Sequence, residues 1–143
     1  MRVVLDTVIL VRGLINPWSP CRRLLFDRAD EYVVVVSLPI VAEYVEVIRR
    51  PELVRKYHGL EGRDLHAVLG KITNATMVQP EDTPAICRDP ADDDFRAAAL
   101  AGNAGYIVSE DLDLLALQRY EGIAILSAEQ FLPVLEEPTR PVE

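Results

Sequence analysis

Two stretches decide the fold: RVVLDT at residues 2–7 and YIVSEDLDLL at residues 106–115, each a short β-branched run that ends within three residues on an aspartate. A continuous apolar run of this kind suits a strand covered on both faces. In open parallel sheets the carboxyl ends of strands form the rim where ligands bind. Asp6 and Asp111 are thereby delivered to one rim by two distant segments.

Working outward, further strands are expected at Tyr32 to Val36, Thr76 to Gln79 and Ile123 to Leu126, with Arg2 to Leu5 and Tyr106 to Val108 completing the set. Helical patterns alternate with them: Cys21 to Ala29 behind Ser19 and Pro20, Leu38 to Arg49 behind Ser37, Glu61 to Ala75, Asp92 to Ala104, and Ala128 to Glu136 behind Ser127. Each serine is placed to cap a first turn. The alternation predicts an α/β domain of three layers, α/β/α, around a central, mostly parallel sheet of four to five strands. One domain over residues 1–136 is expected, with 137–143 as a frayed tail carrying two prolines and no apolar period.

The chain has 143 residues, half of them apolar, which suits one core without a disulfide or structural metal as a staple. Cys21 and Cys87 form no CxxC pair, so a reducing cytoplasm is expected. The opening VVLDTVILVRGLI is broken by Asp6 and Arg12 and is too short to span a bilayer, so neither export nor membrane insertion is expected. The formal charge of −8 disfavours passive coating of nucleic acid. It leaves room for an enzyme that holds divalent cations against phosphate.

Two more segments supply acids. In Leu38 to Arg49 the residues Ile40, Val41, Tyr44, Val45 and Ile48 recur at helical spacing, which sets Glu43 at the edge of the buried face. DPADDDF places Asp89, Asp92, Asp93 and Asp94 where a helix begins. Four carboxylates about 5 Å apart would repel by about 3 kcal/mol per pair at an effective dielectric near 20, so they either take up protons or bind a cation. Oxygen ligands without nearby His or Cys favour Mg²⁺ or Mn²⁺. The bland reading of Asp92 to Asp94 is helix capping and dipole compensation.

The order VVLDT, SLPIVAEYVEVIRRPEL, RDPADDDFRAAALAGNAGYIVSEDLDLL and ILSAEQFL resembles the PIN-domain ribonucleases of the VapC-like toxin type over nearly the whole chain. By position, Asp6, Glu43, Asp93 and Asp111 match the family's active-site and metal-holding acids. Ser109 matches its small hydroxyl residue and Asp113 its accessory acid, and Asp92 is a further accessory candidate. The resemblance implies a Mg²⁺- or Mn²⁺-dependent endoribonuclease acting on RNA, the toxin of a toxin–antitoxin pair, with a cognate antitoxin and a homodimeric assembly. One departure is Val8, where the family often has asparagine. Loss of a supporting amide can cost 10 to 100-fold in metal affinity or activity, so the alternative is a weak or inactive PIN-like module that binds RNA or a protein.

A phosphate-accepting domain with Asp6 as nucleophile fares poorly, since Val8 replaces the second acid of a DxD pair and no Gly-rich phosphate loop exists. His58 and His66 lack the spacing of a helical metal pair. Arg49, Arg50, Arg55 and Lys56 form the densest basic cluster, either an RNA-docking edge or a solvated helix face.

Overall fold

A computed structural model describes residues 1–54, 70, 72, 74–80 and 90–136, except for the side chains of 54 and 90–92. Asp89, Cys87, Arg55, Lys56, both histidines, most of the helix expected at 61–75 and the tail at 137–143 lie outside the described residues.

The strands are β1 (Arg2–Leu5), β2 (Val33–Val36), β3 (Thr76–Met77), β4 (Tyr106–Val108), β5 (Arg119–Tyr120) and β6 (Ile123–Leu126), in one sheet of order β3-β2-β1-β4-β6-β5. All described pairings are parallel except the antiparallel β5–β6. The helices are α1 (Thr7–Ile15), α2 (Pro20–Arg22, continued as a π-turn over Arg23–Asp27), α3 (Leu38–Ile48), α4 (Pro51–Val54), α5 (Pro90–Ala101), α6 (Leu112–Leu117) and α7 (Ala128–Glu136). Val3, Val4, Leu5, Val34, Val35, Val36, Ile107 and Val108 are buried in succession, so helices cover both sheet faces as the three-layer reading requires.

Among the described residues the sheet has six strands, not four or five. The extra one, β5, is two residues long and closes on β6 through Glu121 and Gly122, whose φ values are +50° and +81°. Two positive φ values suit a tight hairpin turn, but Glu-Gly is a weak signal for one. The sequence pattern also gives no sign of the helix α1, because VILVRGLI is apolar but for Arg12 and shows no clear helical period. Its start is the side chain of Asp6, whose Oδ1 accepts from the Ile9 amide at 3.2 Å.

The expected caps hold at two of three helices. Ser19 Oγ accepts from the Arg22 amide at 3.2 Å. Ser127 and Gln130 form a reciprocal capping box, with bonds of 3.1 and 3.0 Å. Ser37 precedes α3 but makes no capping bond.

Chain direction across the sheet reverses between β1 and β4: β1, β2 and β3 step one way, β4 and β6 the other. That reversal opens a crevice at the strands' carboxyl ends. The ladders pair Val3 with Val34, Leu5 with Val108, Val36 with Met77 and Val108 with Leu126. Extended to the rim, the same registers set Val78, Ser37, Asp6, Ser109 and Ser127 side by side.

Candidate active site

Asp6 occupies the centre of this rim and is 2% exposed. Its Oδ2 accepts from the Ser109 hydroxyl and from the Glu110 amide at 3.4 Å, while Oδ1 caps α1. Burial pushes its pKa up to about 6, against the pull of these hydrogen bonds, Ser109's the largest. A desolvated carboxyl of this kind has much to gain from a nearby cation.

Ser109 is fully buried, and its Oγ also accepts from the Asp111 amide at 2.9 Å. One hydroxyl thus ties the Asp6 carboxylate to the backbone of Asp111. Half-buried Asp111 caps α6, accepting from the amides of Asp113 at 2.7 Å and Leu114 at 3.4 Å. Asp113 is exposed in the first turn of that helix.

Glu43, half-buried on α3, accepts from the hydroxyl of Thr7, the residue after Asp6. Tyr44 beside it is buried and donates to the Leu5 carbonyl. Burial raises the Tyr44 pKa well above its ordinary value, and the charges of Asp6 and Glu43 raise it further. The structure therefore associates Asp6, Glu43 and Asp111 through Thr7, Tyr44 and Ser109.

Asp93 behaves differently from the solvent-facing acid that its place in an acidic first turn suggests. It is 5% exposed and ion-paired at 3.4 Å with Arg96, one turn on and 1% exposed. The Arg96 guanidinium lies 3.7 Å above the Tyr120 ring centroid. Asp94, half-buried, has a raised pKa from burial and then from the charge of Asp93. The side chain of Asp92 lies outside the described residues.

Thr7, Arg96 and Tyr120 are the residues that sequence reasoning missed. Arg96 gave a signal: it is the one charged side chain in FRAAALA, three residues after an aspartate. Thr7 and Tyr120 gave none, since their partners are distant in sequence. Glu110 is structural, its Oε1 accepting from the Ala128 amide at 3.2 Å and its Oε2 lying 3.5 Å from Arg12. Arg50 pairs with Glu46 at 2.8 Å on the outside of α3, which supports the solvated-face reading for that part of the basic cluster.

As donors, the acids suit a hard divalent cation: each carboxylate has about four acceptor positions, and Glu43 and Asp111 keep some unused, whereas Asp6 already accepts from Ser109 and three backbone amides. Among the described residues, however, no three His, Cys, Asp or Glu side chains stand close enough together to hold a metal ion. No described helix is long and apolar enough to cross a membrane.

The family model for the PIN domain matches residues 2–113, a span that includes Asp6, Glu43, Asp93, Ser109, Asp111 and Asp113. An uncharacterized protein of Methanocaldococcus jannaschii is 27% identical over 118 residues, covering 82% of this chain and 76% of that protein. Among solved structures, a chain of VapBC2 from Rickettsia felis, bound to a DNA fragment from their promoter, superposes with a TM-score of 0.54 at 14% identity, covering 87% of this chain and 97% of that one. With most of its length matched by the family model, and with the fold shared, the chain belongs to the PIN domain family.

Proposed function

We propose that the protein is a metal-dependent endoribonuclease that hydrolyses RNA phosphodiester bonds, and that it is the toxin of a toxin–antitoxin pair. The observation that carries this reading is the Ser109 hydroxyl, which donates to the Asp6 carboxylate and accepts from the Asp111 backbone amide at the switch point of the sheet. Drawn closer together than they stand in the metal-free chain, Asp6, Glu43 and Asp111 would hold Mg²⁺ or Mn²⁺, and Asp93 would join them by giving up Arg96. A bound divalent cation supplies positive charge that eases proton loss from an attacking water and offsets charge on the phosphate.

The chain's own residues do the positioning. Ser109 and the Glu110 amide fix one oxygen of Asp6, the start of α1 fixes the other, and Thr7 fixes Glu43. Water serves as the nucleophile, so no side chain needs to form a covalent intermediate.

The neighbour's VapBC2 assembly supports the antitoxin as a partner. An antitoxin that inserted a basic side chain among these acids would displace cation and substrate together. Trp18, 87% exposed, and Leu112, 80% exposed, offer apolar anchors for such a partner or for a second copy of the chain in a homodimer. A cytoplasmic setting suits both the RNA substrate and the free thiol of Cys21.

Two observations favour the second reading, a weak or silent module. Asp93 is already ion-paired with Arg96, and Val8, 39% exposed, offers no side-chain amide beside Asp6. Induced expression in a bacterial host separates the two. The toxin reading predicts growth arrest with accumulation of RNA fragments, both abolished by Glu43→Gln. Unimpaired growth with intact RNA at high expression of folded protein would favour the silent module.

A further inference from the structure

Beside Asp6 on the rim lies Ser37, set opposite it by the β1–β2 register. Adjacent strands are about 4.8 Å apart, so the two residues are close neighbours. Ser37 is 1% exposed, and its Oγ has no hydrogen-bond partner among the described residues. Buried polar groups are nearly always paired, and an orphan calls for an explanation. It does not cap α3, although it stands at the start of that eleven-residue helix.

Ser37 lines a cavity of about 190 Å³ together with Leu38, Pro39, Val78, Gln79, Pro80 and Asp94. This is below the roughly 300–1,000 Å³ of pockets that enclose a drug-sized ligand, so it fits a single planar ring system. Its lining is mixed. Pro39 and Pro80 offer flat apolar faces, whereas Asp94 accepts hydrogen bonds, Ser37 donates, and Gln79 does both.

We propose that this cavity receives one unpaired guanine base of the RNA strand, next to the bond cut at Asp6. The inference rests on the nuclease reading for its substrate class and adds the base that the site selects. Single-stranded RNA is read by splaying bases out of the stack and bonding their Watson–Crick edges. Guanine presents two adjacent donors, its ring N1–H and its 2-amino group, to one carboxylate, and its O6 accepts from a hydroxyl or amide. Uracil has no amino group to offer Asp94.

The test uses the full chain in Mn²⁺ with labelled pentauridylate and its five single-guanosine variants, all with phosphorothioate linkages that resist hydrolysis. One variant is expected to bind roughly tenfold tighter than the all-uridine strand, the scale of one well-formed base contact. That gain should disappear in Asp94→Asn and shrink in Gln79→Ala, while binding of the all-uridine strand stays unchanged. Equal binding of all six strands, or a gain that survives both substitutions, would overturn the proposal. Ordinary RNA is offered in parallel. Cutting without guanosine preference removes the base pocket and leaves the nuclease, whereas a guanosine gain without cutting removes the nuclease and leaves the pocket.

Discussion

The Ser109 hydroxyl donates to Asp6 Oδ2 across the β1–β4 junction, linking residues 103 positions apart in the sequence. Both side chains are buried, so the bond acts in a medium where it is stronger than in water. Ser109→Ala removes a hydrogen bond that favours the Asp6 carboxylate, and the Asp6 pKa should rise above its present value of about 6. The acidic limb of the RNA-cleavage pH profile should move to higher pH, and activity at pH 7 should fall about 10 to 100-fold. An unchanged profile would mean that Ser109 has no hold on Asp6.

Asp6 also gives the metal-free protein a pH-dependent stability of definite sign. Its folded pKa of about 6 stands above its ordinary 3.8. The folded state therefore holds the proton more tightly than the unfolded state. The charged form costs stability increasingly as pH rises from about 4 to 6, reaching about 3 kcal/mol above that range. In chelator, Asp6→Asn should exceed wild type in urea stability at pH 7 by about 1–3 kcal/mol, with the advantage gone near pH 4. A variant less stable than wild type at pH 7 would contradict this.

The Asp93–Arg96 pair is buried, and removal of one member strands the other's charge. Arg96→Leu should cost about 3–5 kcal/mol in equilibrium unfolding. Asp93→Asn should destabilise in the same direction, so any loss of cutting must be read alongside its folded fraction. A cost below about 1 kcal/mol, typical of exposed pairs, would show that the two charges are well solvated.

Gly102 approaches β2 closely. A Cβ there would lie 2.6 Å from Val35 Cγ1 and 3.2 Å from the Ala98 carbonyl oxygen. Gly102→Ala should destabilise by about 1–3 kcal/mol through overpacking. Gly105→Ala has nothing within 4 Å of the added methyl and should be neutral or slightly stabilising. Thermal melts of the two variants compare them directly.

Much of the strand pattern was legible because β1, β2, β4 and β6 are continuous apolar runs bounded by polar residues. The same property hid α1, whose sequence is apolar but for Thr7 and Arg12 and betrays its helix only through the cap at Asp6. β5 is too short for any period and depends on a two-residue turn. At the site, Asp6 and Asp111 could be placed at one rim from sequence because each follows its strand closely. Their link through Ser109 and the hold of Thr7 on Glu43 join distant segments, so local pattern carries no trace of them. For Asp93 the first-turn position suggested exposure, but Arg96 and the covering ring of Tyr120 make burial tolerable.

Asp111→Asn offers the cleanest probe of the central claim, since asparagine caps a helix about as well as aspartate and only the charge is lost. Purified wild type and variant are incubated with a labelled RNA pool in Mn²⁺, with a chelator control. Wild type should cut in Mn²⁺ and stop in chelator, and the variant should cut at least about 100-fold more slowly at equal folded concentration, the scale of losing one charge-stabilising group. Equal cutting by both proteins, or cutting that persists in chelator, would contradict a metal-assisted nuclease centred on Asp6, Glu43 and Asp111.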